Sequence, residues 1–421
     1  MHMPFRGIFR TGVTVLFVII TLTIPGRSKN SWPCYHGKDR SNCSADTGLL
    51  KQWPPAGPRL LWVATGLGRG ISSVAVVDGR IYTAGSVDKE TMVIALDSTG
   101  NILWRSPNGR SWETDRPWAR MYEGAKGTPT VADGTVYHLG ETGRLTAFDA
   151  MDGRQIWTLN LMKEFGAQVP QYGYTESVIV EHNRLYCRPG GKKGYVACID
   201  AIRGKPVWAT TGITGTAAFS SGITAETGGY PQYIGQSSDC VFGVCLTNGK
   251  LLWHEEFAND PESNVTDPVV VKDFVLVSTG YGRGSMLLKL SPDGNNLQSE
   301  IVWDTTLMDN HHDGVIYHDG YLYGSGHRVK GWACIDFTTG VQMWLAEGKG
   351  SLTYADGMLY CLEENGLLKL VTAVPDSCEV KSAFLIPNAG PGPFWTHPVV
   401  CNGILYIRHA DKIYAYDVCK E

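Results

Sequence analysis

The chain has no excess of basic charge: 37 Lys and Arg stand against 41 Asp and Glu, a formal net charge of -4. It therefore lacks the polycationic stripe that grips phosphate backbones and the basic tail that grips anionic lipid, and no nucleic-acid partner is expected. Long apolar runs are equally scarce. The one that stands out covers residues 13–24, preceded by Arg6 and Arg10 and followed by a polar stretch. It is too short to cross a bilayer comfortably, and its basic, apolar, polar order is that of a secretory signal. Residues 1–30 are thus expected to be a signal peptide or N-terminal anchor on an exported, periplasmic or extracellular protein, with no membrane span beyond that possible anchor. No A-x-A-like cleavage site ends the run, which leaves the uncleaved anchor open.

Cysteine chemistry is thin despite eleven cysteines. No Cys-x-x-Cys pair of zinc spacing occurs and no two cysteines are adjacent. The expected bridge joins Cys34 to Cys43 in the polar arm 31–58, while Cys198 and Cys334 fall where other repeats carry Ala95 and Ala147 and read as packed strand positions. The Gly-x-Ser-x-Gly elbow and the His-Glu-x-x-His motif are missing, so hydrolase readings have no anchor. The glycine-rich "GRG" at 68–70 and "GYGRG" at 280–284 do not sit between a strand and a helix, which argues against phosphate cradling.

What is present is repetition. Fifty glycines, 13 tryptophans and 19 tyrosines favour turn-rich β structure. Gly-x-x-x-Trp recurs at Gly100–Trp104, Gly153–Trp157, Gly204–Trp208, Gly249–Trp253 and Gly340–Trp344, and Trp62 and Trp303 extend the series. The spacing is that of a four-stranded propeller blade. Opening strands fall near 72, 128, 176, 220, 267, 313, 351 and 397, most ending in Asp-Gly or Asn-Gly turns that supply the positive φ of a tight hairpin. The chain ends after three strands of its last unit, and "RLLWVATG" around Trp62 precedes the first unit without partners. The predicted fold is therefore all-β: an eight-bladed propeller of four-stranded antiparallel blades over 59–421, closed by the N-terminal strand completing the last blade. The tryptophans are expected to pack between adjacent blades, with each indole N–H needing a partner.

Strands ending "ALD", "AFD" or "ACID" followed by Gly-x-x-x-Trp resemble the pyrroloquinoline-quinone-type β-propeller repeat, shared by quinoprotein alcohol dehydrogenases and a lipoprotein of the outer-membrane barrel-assembly machinery. The stretches "GLGRGISSVAVVDGRIYTAG" and "NHHDGVIYHDGYLYG" are similar to exported propellers of planctomycete-type bacteria. The resemblance implies pyrroloquinoline quinone with calcium as the cofactor of an alcohol dehydrogenase-like enzyme, or an assembly scaffold. Against an enzyme, the adjacent cysteines that lie over the quinone in many such dehydrogenases are absent.

In a propeller the innermost strand of each blade lines the axis, so the residues opening those strands converge on one channel mouth. They are Arg69, Arg120 with Tyr122, Glu176, Ser220, Asp267, His311 with His312, and Trp395 with His397. Arg69, Arg120, Glu176, Asp267, His311 and Trp395 are the candidate binding residues. Glu176, Asp267 and Asp309 or Asp313 are candidate ligands for a hard cation, and the histidines are candidate transition-metal ligands or bases. The alternative is that these groups hydrogen-bond to loops and channel water. A monomer holding a small-molecule or protein ligand at the mouth is expected, with His138, His318, His327 and His409 as ordinary strand or surface positions.

Overall fold

A computed structural model describes residues 30–259, 263–311 and 314–420; the expected signal or anchor segment, His312 and Asp313 lie outside the described residues. Eight antiparallel sheets make up the fold, each led by one short inner strand. These inner strands are Ala75–Val77, Thr130–Ala132, Ile179–Glu181, Ile223–Thr227, Val269–Val271, Ile316–His318, Gly350–Ala355 and Val399–Cys401, leading blades one to eight in turn. Most begin two or three residues later than the polar pattern suggests, because the opening polar residues are committed elsewhere, as described below.

The ring closes as the sequence predicts. Strand Arg59–Ala64 pairs antiparallel with Lys412–Asp417, with Leu60 opposite Tyr416 and Val63 opposite Tyr414. It becomes the outer strand of blade eight, and a sheet edge that would otherwise stand open is covered. Blade seven receives its fourth strand from Val380–Leu385, which carries no tryptophan. Among the described residues no helix is long and apolar enough to cross a membrane.

The Gly-x-x-x-Trp signature is a latch between neighbours. The glycine of one blade lies under the indole of the blade before it: a Cβ on Gly100 would stand 2.6 Å from the Trp62 ring, one on Gly204 2.5 Å from Trp157, and one on Gly340 2.8 Å from Trp303. The same indoles donate across the blade boundary to carbonyls of Ser98 (3.0 Å), Ala201 (2.8 Å) and Phe337 (2.9 Å). A large apolar plate and one satisfied N–H thus register blade against blade at six of the eight boundaries. Trp253 departs from the pattern and donates to Gln232 Oε1 of its own blade at 2.7 Å.

The arm preceding the ring is not a tether. Trp32 exchanges backbone hydrogen bonds with Val76 of blade one, and Pro33 O accepts from Val131 N–H of blade two. The buried Arg40 guanidinium donates to Ser177 O (2.9 Å) and Val178 O (2.8 Å), leading into blade three, and to Gly222 O (3.4 Å) of blade four. His36 Nδ1 stands 3.7 Å from Asp267 before blade five, and its ring packs on Gly314 before blade six. Cys43–Ser44 adds a short parallel strand to blade seven, and Asp46 accepts Gly403 N–H of blade eight at 2.7 Å. The arm touches all eight blades and plugs the channel. This placement separates the two cysteines of the expected bridge: Cys34 donates to Gly37 O at 2.9 Å near blade two, Cys43 pairs with Tyr354 in blade seven, and both are free thiols.

Candidate functional site

A belt of hydrogen bonds explains the polar residues that open the inner strands. Ser73 N–H donates to Thr128 Oγ1 (3.0 Å), Thr128 N–H to Ser177 Oγ (2.8 Å), Ser177 N–H to Ser221 Oγ (3.0 Å) and Ser221 N–H to Asp267 Oδ1 (2.5 Å). From blade two to blade five each blade offers a short side-chain oxygen to the previous blade's backbone, satisfying N–H groups that no ladder reaches.

One end of the axis is a cavity. The arm's backbone pairs beside the hairpin ends of the inner strands, at Val76, Val131 and Tyr354. The cavity is lined instead by residues that precede those strands, among them Lys126, Ser221, Asp267, His311 and Trp395, with Tyr35 of the arm. It is therefore a funnel, open at the strand-start end, with Tyr35 as its floor. Tyr35 is fixed by stacking on His36 at 3.9 Å between ring centroids and by an edge contact with His397 at 5.0 Å.

Aromatic rings form the funnel wall. Trp395 and Tyr122 stack at 5.3 Å and 14°, Tyr122 meets Tyr172 at 5.1 Å, and Tyr172 meets Phe219 at 5.5 Å. These rings come from four separate loops, and Tyr122 ends the short 3-10 helix Pro117–Tyr122, which Pro117 starts by presetting its φ. Trp395 is oriented by its N–H to Glu364 Oε1 at 2.9 Å.

On another part of the wall Tyr281 takes a left-handed φ of 61°, a conformation that costs a bulky residue roughly 1–2 kcal/mol. Asp309 holds this turn: Oδ2 accepts Gly282 N–H (2.8 Å) and Arg328 N–H (2.9 Å), and Oδ1 accepts His327 N–H (2.8 Å). The Tyr281 hydroxyl lies 2.9 Å from His311 Nε2, and the His327 ring is 4.4 Å from that of His311. Burial raises the Tyr281 hydroxyl pKa, so it stays protonated and able to donate.

Of the candidate binding residues, Asp267, His311 and Trp395 line the funnel together with Tyr122. Arg69 turns away, pairing with Glu123 at 2.8 Å, and Arg120 is exposed on the short helix. Glu176 is buried beneath the belt, where its oxygens accept Arg188 N–H (2.7 Å) and the Tyr233 hydroxyl (2.7 Å). His138 and His409 are strand positions, in Thr135–Leu139 and Ile404–His409, and both are buried, while His327 joins the funnel-side cluster. Sequence reasoning passed over Lys126, Tyr172, Phe219 and Tyr35. A lone residue in a loop carries no periodic signal, and only the assembled ring shows where it points.

A calcium-held quinone needs several oxygen ligands converging on one point. Among the described residues no three His, Cys, Asp or Glu side chains gather as a metal-binding group, and Glu176, Asp267 and Asp309 are not brought together as a ligand set. The carboxylates of Glu176 and Asp309 are engaged by the protein's own donors. The described residues, which do not include His312 and Asp313, do not fit that cofactor.

Comparison with known proteins places this architecture. The family model described as "Outer membrane protein assembly factor BamB", of the pyrroloquinoline-quinone repeat type, matches residues 46–162 and 89–346. Quinohemoprotein alcohol dehydrogenase ADH-IIG of Pseudomonas putida is 27% identical over 232 residues, 52% of this chain and 28% of its own length. Outer membrane protein assembly factor BamB of Nitrosomonas eutropha is 24% identical over 246 residues, 53% of this chain and 52% of its own length. The chain thus spans about half of one of these curated relatives and less than a third of the other. Among solved structures, quinohemoprotein alcohol dehydrogenase from Comamonas testosteroni superposes with a TM-score of 0.62 at 13% identity, covering 93% of this chain and 81% of that one. BamB from Moraxella catarrhalis gives 0.56 at 14%, covering 86% and 98%. At such identities the superpositions speak to fold alone.

Proposed function

The chain belongs to the pyrroloquinoline-quinone-type β-propeller family, and from that premise we propose that it is an exported, monomeric binding module that takes a small ring-shaped ligand in the plugged funnel. The observation that carries this reading is the aromatic ribbon from Trp395 through Tyr122 and Tyr172 to Phe219, above a floor closed by Tyr35. Ligand sites combine apolar walls with a few convergent polar groups, and this cavity has both. Aromatic faces left open to solvent at the centre of a rigid ring are also poor packing, which a stacked ligand relieves. Export is supported by Arg6, Arg10 and the apolar run 13–24. The closed ring needs no second copy to complete a sheet.

The test is a titration followed by tryptophan fluorescence, with neutral and acidic sugars, nucleosides, and pyrroloquinoline quinone with calcium run in parallel. Binding of at least one of the sugars or nucleosides, weakened tenfold or more by Trp395→Ala without loss of fold, is the expected result. Tight quinone binding with dye-linked alcohol oxidation would establish an oxidoreductase instead. Retention on immobilised outer-membrane assembly components, without any small ligand, would establish an assembly scaffold.

A further inference from the structure

Lys126 narrows the ligand class. It lies in the loop before blade two, is 7% exposed, and is the one lysine or arginine among the side chains lining the funnel. Its ammonium stands 4.9 Å over the Trp112 ring and donates to Gly124 O at 3.3 Å. An ammonium carries three donors, and that is the one hydrogen bond this group makes among the described residues. Glu141 and Glu123 act on it only through space. A buried cation so thinly solvated by protein groups is costly unless an anion arrives to meet it.

The remaining lining points to a sugar. Beside the rings the lining carries Thr175, Ser221, Ser263, the Asp267 carboxylate and the Tyr281–His311 pair, with the Thr175 hydroxyl already donating to Phe219 O and the Ser221 hydroxyl already accepting Ser177 N–H. A flat hydrocarbon or fused aromatic ligand would satisfy the rings and strip water from these polar groups without replacing it. A saccharide offers both faces of the match: C–H surfaces for the rings and hydroxyls for the polar groups.

Resting on the reading of the funnel as a ring-ligand site, we infer that its ligand is an anionic saccharide, a sugar bearing a carboxylate or a sulfate ester, with its ring on the aromatic ribbon and its anionic group on Lys126. The ammonium is a point charge and meets either anion.

The experiment is isothermal titration of the whole protein with size-matched neutral, uronate-containing and sulfated oligosaccharides, repeated on Lys126→Gln and Lys126→Arg. The expected result is that one anionic series binds at least tenfold tighter than the neutral one, that Lys126→Gln removes the advantage while neutral binding persists, and that Lys126→Arg retains most of it. Which anionic series wins identifies the group. Equal affinity for neutral and anionic sugars, or an advantage that survives Lys126→Gln, overturns the inference. Neutral binding that is lost in Trp395→Ala without any anionic preference overturns it while leaving the ring-ligand reading standing. A protein that binds no ring ligand at all defeats both. If Lys126→Gln fails to fold, amine acylation of the native protein decides: the anionic sugar shields Lys126 from labelling, and unchanged labelling at saturation overturns the inference.

Discussion

If Gly-x-x-x-Trp is an interblade latch, adding one methyl group beneath an indole should damage the ring far more than adding it at an equally left-handed glycine with open space. Gly204 and Gly134 provide the comparison. Gly204 has φ +66° and a Cβ there would sit 2.5 Å from Trp157 Cδ2, whereas Gly134 has φ +73° and nothing within 4 Å. Left-handed backbone costs alanine roughly 1–2 kcal/mol at either site. Gly204→Ala must in addition push the Trp157 plate outward, an overpacking cost of about 1–3 kcal/mol, and stretch its 2.8 Å bond to Ala201 O, a further loss of about 1 kcal/mol. The predicted gap between the two variants is therefore about 2–4 kcal/mol in urea denaturation. Trp157→Ala in the Gly204→Ala background should add less than in the wild type, since both act through one contact. Equal destabilisation by Gly204→Ala and Gly134→Ala would refute the latch and leave the recurring tryptophans without a mechanical role.

Other consequences follow from single side chains. Arg40→Met should cost about 3 kcal/mol, because it strands the buried carbonyls of Ser177 and Gly222 and takes one of two donors from Val178 O, which keeps the Thr130 hydroxyl, and should expose the arm to limited proteolysis. His138 accepts from Asn108 Nδ2 at 2.8 Å and donates to Gly127 O at 3.1 Å, and burial lowers its pKa from 6.5 to about 4. The unfolded chain thus binds the proton first, so stability present above pH 6.5 falls as pH drops from 6.5 to 4; His138→Gln should flatten that limb of the stability profile. Alkylation under denaturing, non-reducing conditions should label all eleven cysteines; a Cys34–Cys43 bridge would leave two unlabelled. Burial lowers the Lys126 pKa to about 8, against the opposing fields of Glu141 and Glu123 and alongside that of Arg69. The affinity for an anionic ligand should therefore weaken as pH rises through about 8, and Lys126→Gln should remove that pH dependence.

The ring was legible because its determinants are local and repeated. Asp-Gly turns mark each hairpin, and Arg59–Ala64 had no other place to pair than beside Lys412–Asp417. The convergence of Asp267, His311 and Trp395 was legible too, since any propeller brings strand openings to its axis. The arm was not. Its course depends on left-handed turns at His36, Arg40 and Asn42 and on carbonyls supplied by distant blades, none of which leaves a period in the sequence. Asp309 has the side chain of a metal ligand and serves as a clasp for backbone amides, a distinction that only hydrogen-bond geometry makes. Lys126 escaped notice because nothing in "EGAKGTP" signals that its ammonium ends up over the Trp112 ring.

The most direct test of the central claim, that an arm-plugged ring leaves an aromatic funnel for a ring-shaped ligand, is a crystal structure of the protein soaked with a sugar that binds it. The account predicts Tyr35 at the floor and ligand density against Tyr122, Tyr172 and Trp395. Density on the outer blades, or an arm lying outside an open channel, would contradict it.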